Sequence, residues 1–230
     1  MEAPNAKVLR HFLRLGVPSG LTIAVEVTSF TLVALFVARL GVVASASHQI
    51  MANMAACLYM VPLSLSIASS ARISYWLGAG QPQWARRSLR TGLGLVLASA
   101  ALLSLMVWLS RDHIAGFFTP SLAVLSLTSQ MLAWLALYHG VDALQVFVVF
   151  ALRCYHVTVR PLMTYTVMLW GIGLGGGYAL AYGGLQIDGL PMLATQSPLA
   201  FWQASLLALG LTCAVLSPLL WRRSRARQAA

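Results

Sequence analysis

ALYHGVDALQVFVVFALR, residues 136 to 153, reads as lipid-soluble helix except for one acid, Asp142, near its middle. At about 1.5 Å per residue the run crosses most of a roughly 30 Å hydrocarbon layer, and it contains no proline to break it. The rest of the chain decides that it is a membrane helix and not a soluble core helix. The 230 residues are 59% hydrophobic and only 9% charged, with a mean hydropathy of +0.79. A soluble domain usually devotes about a quarter of its residues to charge. The composition therefore predicts an all-α integral membrane protein whose main partner is the lipid bilayer.

Six transmembrane helices are expected at about 17–40, 46–75, 90–110, 122–152, 161–182 and 199–221, so that residues 1–230 form a single six-span unit. Turn formers mark the breaks: Leu40-Gly41, Gly78 to Pro82, Thr119-Pro120, Arg160-Pro161 and the stretch 183–198. Two of these helices exceed the bilayer and are expected to tilt or extend into water. The opening residues show no short apolar core followed by a small-residue cleavage site, so no removable signal is expected.

Formal net charge is +10, which in a soluble protein would direct attention to nucleic acid. Here the placement of the charges matters more than their sum, and no nucleic-acid partner is expected. With the N-terminus inside, thirteen of the fifteen cations fall on inner segments, leaving only Arg39 and Arg111 outside. Positive flanks are held on the cytoplasmic side, so both termini are predicted to be cytoplasmic. The tail WRRSRAR reads as a topology anchor, although it also has the composition to meet anionic lipid. Trp76, Trp84, Trp108, Trp202 and Trp221 lie near span ends, where amphipathic rings favour the interface. Cys57, Cys154 and Cys213 are scattered singly, which argues against a disulfide framework or a zinc site.

Of five acids, Glu2 is terminal, Asp112 follows Arg111 in an expected outer loop, and Asp188 falls in the last outer loop. Glu26 and Asp142 remain inside spans. An ionised carboxylate at mid-bilayer costs on the order of 2.5–3.5 kcal/mol even on the lenient insertion scale, and such residues usually face a bundle interior or wet cavity. The bland alternative is a structural ion pair or a permanently protonated acid. Glu26 lies twelve residues from Arg14, and Asp142 eleven from Arg153, so both acids sit about 16–18 Å from the inner cationic edge. No lysine or arginine is expected at that level.

Each acid also belongs to a polar stripe at helical spacing: Trp134, Tyr138, Asp142 and Gln145 on the fourth helix, and Ser19, Thr22, Glu26 and Ser29 on the first. Taken alone, those hydroxyls are equally well satisfied by carbonyls of the preceding turn. With the carboxylates among them, the two faces are expected to look at each other or at a cavity. Oxygen donors from Glu26, Tyr138 and Asp142 suit a proton or a hard cation such as sodium, and the sequence leaves the choice open. Ser29, Trp134, Gln145 and Met54 are candidates for the substrate path. No cofactor is expected beyond the transported or coupling ion.

With those residues in hand, the chain resembles the second half of the multidrug and toxic compound extrusion family, cation-coupled antiporters of twelve spans in two six-span lobes. The resemblance is carried by VPSGLTIAVEVTSFTLVALFVARLG, ASHQI, PLSLSIASSARISYWLGAG, ALYHGVDALQVF, ALRCY and IGLGGGY, in order and almost end to end. It implies a glutamate on the lobe's first helix, and a tyrosine and an aspartate four residues apart on its fourth, acting in cation coupling. Glu26, Tyr138 and Asp142 match those positions. The family pattern commonly carries glycine at Cys154, an acid within 156–158 and proline at Gly175, so the departures fall on the inner loop and on the fifth helix's bend. The implied function is secondary active export of small organic cations or drugs in exchange for protons or sodium, in a bacterial inner membrane. One lobe's worth of chain starts here at a methionine, and the implied partner is a second six-span lobe or a second copy. The alternative reading is an inactive fragment or a structural, assembly subunit lacking its partner lobe.

Other motifs carry less. Gly171-Ile-Gly-Leu-Gly-Gly176 satisfies the dinucleotide G-x-G-x-x-G pattern, but no strand precedes it, and a GxxxG helix contact through Gly173 and Gly177 is the better reading. His48 and His139 have the chemistry of proton relays, although His139 is expected on a different side from Tyr138. Met51, Met54, Met60 and Tyr59 offer an adaptable apolar surface or ordinary packing. The sequence contains no HExxH, GxSxG or P-loop. An enzyme is not expected, and any pumping must draw on an ion gradient.

Overall fold

The computed structural model describes residues 6–182 and 197–226; the expectations placed on Glu2, Asp188, Arg227 and most of the 183–198 break lie outside them. The described residues form helices and short turns, with no strand. In chain order these are α1 (Ala6–Ala38), α2 (Val42–Gly78), α3 (Pro82–Phe118), α4 (Leu122–Cys154), α5 (Val159–Thr166), a π-helical stretch (Val167–Gly176), α6 (Gly177–Tyr182) and α7 (Leu199–Ala226).

Among the described residues five helices are long and apolar enough to cross a membrane: Phe12–Ala38 of α1, and α2, α3, α4 and α7. The helices run past the expected span ends because three-residue turns join them. Gly41 at φ 103° and Gly80 at φ 69° supply left-handed backbone that a side chain would strain, and so reverse the chain at once. At 37 residues each, α2 and α3 are about 55 Å long, well beyond a roughly 30 Å apolar layer. Arg111 and Asp112, expected in an outer loop, therefore lie on α3. Their side chains approach to 4.0 Å, and the Ser129 hydroxyl of α4 donates to the Asp112 carboxylate.

The expected fifth span, 161–182, is not one α-helix. It is a continuous helical path of α5, the π-helical stretch and α6. Gly171, Gly173, Gly175 and Gly176 fall within those ten wide-turned residues, where missing side chains weaken the hold of the regular pitch. Gly175, where the family pattern commonly carries proline, lies within this π-helical stretch.

α4 is the central rod. It packs against α2, α3 and α7, and 72% of its apolar window is buried, against 17–39% in the other four spans. The sequence explains this: apolar residues surround the middle of α4 on every side, and the polar side chains His139, Asp142 and Gln145 there are buried. By contrast α3 presents Leu102, Leu105, Met106 and Leu109 outward. The glycine pair acts in packing as the sequence implied: an added Cβ at Gly177 would lie 2.9 Å from the Phe201 Cα of α7, and one at Gly173 would lie 3.6 Å from the Ala208 Cβ. A second close approach was not visible in the sequence, with Gly92 of α3 set against Ser69 of α2.

Candidate cation and substrate cavity

Helices α1, α2 and α4 line a partly open cavity of about 530 Å³. Thr22, Glu26 and Phe30 reach it from α1, and Tyr59 from α2. Tyr138, Asp142 and Gln145 reach it from α4, one turn after another. Asp142 is buried and Glu26 half-buried, so the two carboxylates expected at one depth share one chamber. Much of the remaining wall is apolar, including Ala52, Ala55, Val146 and Val149. The Thr22 and Ser19 hydroxyls donate to the Pro18 and Leu15 carbonyls at 2.8 and 2.9 Å, the preceding-turn satisfaction that their spacing allows.

The structure adds residues that the sequence did not single out for this chamber. Arg153 lines the same wall, continuing the stripe of Tyr138, Asp142 and Val149 to the end of α4. Its guanidinium lies 4.4 Å from the Phe150 ring centroid, and among the described residues it makes no ion pair with either acid within 4.0 Å. The stripe itself was the signal, because it runs on to position 153 at unbroken spacing. Tyr165, buried on α5, sets its hydroxyl beside the Glu26 carboxylate. Nothing local in the sequence marks that contact, since it depends on how α5 lies against α1.

Trp202 departs from its expected interfacial place. It is buried, 5.2 Å edge-on from the Tyr138 ring, and its Nε1 donates to His48 Nδ1 at 3.1 Å. Proximity to a span end fixes height along α7 but not azimuth, and α7 turns this face onto α1, α2 and α4. The hydrogen bond to His48 fixes Trp202, whose ring packs edge-on against Tyr138, itself a residue of the cavity wall.

The substrate-path candidates separate. Gln145 lines the chamber. Ser29 faces a narrow crevice with Leu169, Phe201 and Trp202, because three residues beyond Glu26 carries it about 60° round the helix. Trp134 and Met54 are half-buried packing residues of the cluster around Met131 and Leu135 and do not reach the cavity wall. His139 is buried away from the cavity, as its one-residue offset from Tyr138 implied, and among the described residues its Nε2 has no hydrogen-bond partner. Met51 is core and Met60 faces outward, so with cavity-lining Tyr59 they form no continuous surface.

Chemically, two carboxyl groups, phenol and threonine hydroxyls, an amide and the Arg153 guanidinium share a chamber whose remaining wall is hydrocarbon. Such oxygen donors favour protons and hard cations over soft metals. Among the described residues no group of three or more His, Cys, Asp or Glu side chains forms a transition-metal cluster.

A family model described as MatE matches residues 18–179, from within α1 to within α6. The chain belongs to the MatE family. Over 207 residues it is 37% identical to a probable multidrug resistance protein NorM of Aromatoleum aromaticum, an alignment covering 90% of this chain and 44% of that one. Its fold is similar to the crystal structure of the eukaryotic MATE transporter AtDTX14, with TM-score 0.78 at 20% identity over 95% of this chain and 48% of the other. It is also similar to a MOP superfamily transporter from Pyrococcus furiosus, with TM-score 0.76 at 16% identity, covering 90% of this chain and 43% of the other. The chain spans about half the length of the relatives it matches. As a MatE family member with five long apolar helices, it is an integral membrane protein.

Proposed function

We propose that the chain is one six-span lobe of a secondary active antiporter that exports organic cations in exchange for protons or sodium, with Glu26, Asp142 and Tyr138 as the coupling site. The observation that carries this reading is the presence of both intramembrane carboxylates in a single chamber of about 530 Å³ that also has apolar walls. A coupling ion shifts a transporter between states only if its affinity differs between them. Two acids in a shared, poorly hydrated site meet that condition, because opening the site to water on one side changes how well it holds a positive charge. In this reading ion entry from outside displaces a drug bound from the cytoplasm, and the apolar wall with Gln145 and Tyr59 accommodates the drug. The relative from Aromatoleum aromaticum is described as a multidrug resistance protein, which agrees with a plasma-membrane efflux role. Thirteen of fifteen cations on alternate connections favour both termini inside, with the path from Val159 to Tyr182 as the fifth of six crossings.

The test is export of a fluorescent organic cation from inverted vesicles or cells under a set proton or sodium gradient. Asp142→Asn, which keeps size and removes the charge, is expected to abolish gradient-dependent export while leaving the chain folded. Undiminished, gradient-dependent export by that variant refutes the assignment. A second reading draws on the coverage of about half of each relative: alone the chain serves as an assembly subunit or a non-transporting fragment, and a second lobe or copy completes the path. Ion-driven dye export by the purified chain in proteoliposomes, without any other protein, eliminates it.

A further inference from the structure

A second cavity, of about 420 Å³, opens between the start of α5 and the end of α7, and none of its lining residues lines the first. Its polar lining is Arg160 and Thr164 from α5 and Arg222 from α7. Its apolar lining includes Met163, Val215 and Leu219, and Met163 and Val215 are 62% and 50% exposed on the outer face of the bundle. Among the described residues no carboxylate lines this groove. The acids of the described residues are committed elsewhere: Glu26 and Asp142 to the first chamber, and Asp112 to Arg111 and Ser129.

Two guanidinium groups brought to one cleft without a counter-charge repel each other, and at the membrane boundary water screens them less than in bulk. An anion between them removes that cost. Guanidinium is well suited to phosphate oxygens because its donors lie in a planar fork, and the Thr164 hydroxyl adds one more donor. The hydrocarbon half of the groove would gain nothing from a free inorganic anion. Along a spanning helix, at the height where basic side chains end the apolar run, an acyl chain beside Met163 and Val215 fits both halves at once.

We propose that the groove between α5 and α7 is a binding site for an anionic phospholipid, its phosphate held by Arg160 and Arg222 with Thr164, and an acyl chain lying along Met163, Val215 and Leu219. The site lies outside the transport chamber and concerns how this face of the bundle meets lipid, so it stands or falls independently of the ion-coupling assignment.

The experiment is native mass spectrometry of the full chain, purified and delipidated in detergent, then titrated with palmitoyl-oleoyl phosphatidylglycerol or with phosphatidylcholine of the same chains. One phosphatidylglycerol is expected to be retained in preference to phosphatidylcholine. Arg160→Gln with Arg222→Gln is expected to weaken that retention by about thirtyfold, the factor for about 1 kcal/mol from each of two arginines. The Arg160→Lys, Arg222→Lys pair keeps the charge and is expected to retain most of the preference, and Arg39→Gln, in the turn between α1 and α2, all of it. If the glutamine pair does not fold, competition on the unaltered chain still decides. Equal retention of the two lipids overturns the proposal, as does phosphatidylglycerol binding unchanged in a folded glutamine pair. Displacement of the lipid by millimolar glycerol phosphate would also overturn it, since the groove would then be a site for soluble phosphate.

Discussion

Replacing Gly177 by alanine tests how closely the fifth helical path lies against α7. The new Cβ would sit 2.9 Å from the Phe201 Cα and 2.7 Å from its Cδ1, whereas carbon atoms pack best at about 3.5–4.0 Å. A ring can swing aside, but a backbone Cα cannot, so the two helices must part by about 0.6 Å or more locally. Overpacking of this kind costs about 1–3 kcal/mol. Alanine also recovers about 0.5–1 kcal/mol of helix preference relative to glycine, which offsets part of the cost. Gly210 on α7 and Gly94 on α3 have nothing within 4 Å of an added Cβ, so the same substitution there keeps the gain without the overlap. The gap between Gly177→Ala and Gly210→Ala is therefore expected to be about 1–3 kcal/mol, and at about 2–4 °C per kcal/mol for chains of this size it amounts to roughly 5 °C in Tm. Thermal unfolding of the detergent-solubilised chain, followed by tryptophan fluorescence, reads it directly. Equal Tm values for Gly177→Ala and Gly210→Ala would refute the close approach.

Gly92→Ala should behave like Gly177→Ala, because its Cβ would meet the Ser69 Cβ at 2.9 Å, and unfolding beside Gly94→Ala on the same helix checks it. Trp202→Ala should destabilise by about 3–5 kcal/mol as a core truncation, whereas Trp108→Ala, 49% exposed, should stay within about 0.5 kcal/mol; matched unfolding curves would contradict the buried placement. Tyr165→Phe removes the hydroxyl set beside Glu26, so ion-driven dye export should fall but persist, while Glu26→Gln should abolish it. Equal export by Tyr165→Phe and the unaltered chain would show that the contact plays no part in coupling.

Much of the fold and the centre of the candidate site could be read from the residues themselves. Apolar runs broken by Gly41, Gly80 and Pro120 located the helices, because any segment that stays in hydrocarbon must satisfy its own backbone. Counting residues from Arg14 and Arg153 placed Glu26 and Asp142 at one height, and the four-residue step from Tyr138 to Asp142 put both on one face of α4. Other parts were hidden. The π-helical stretch left no mark, since a uniformly apolar, glycine-rich run has the same pattern at either pitch. Ser29 fell on the seam with α7 instead of the cavity wall, and Trp202 fell in the core instead of at the interface.

The sequence by itself determined that this chain is a helical membrane protein, how high each residue sits along its helix, and which two acids share a level. Only the tertiary structure decided which way each helix is turned, and so which residues from α2, α5 and α7 join the acids: Tyr59, Tyr165 against Glu26, and Trp202 behind Tyr138. The reason lies in the solvent. In water an apolar stripe marks a helix's inner face, but lipid tails are as apolar as leucine, so hydrophobic residues carry little information about inside and outside. Rotation about the axis is then set by glycine contacts such as Gly177 on Phe201 and by the few polar groups that must find partners, and these act between helices far apart in the chain.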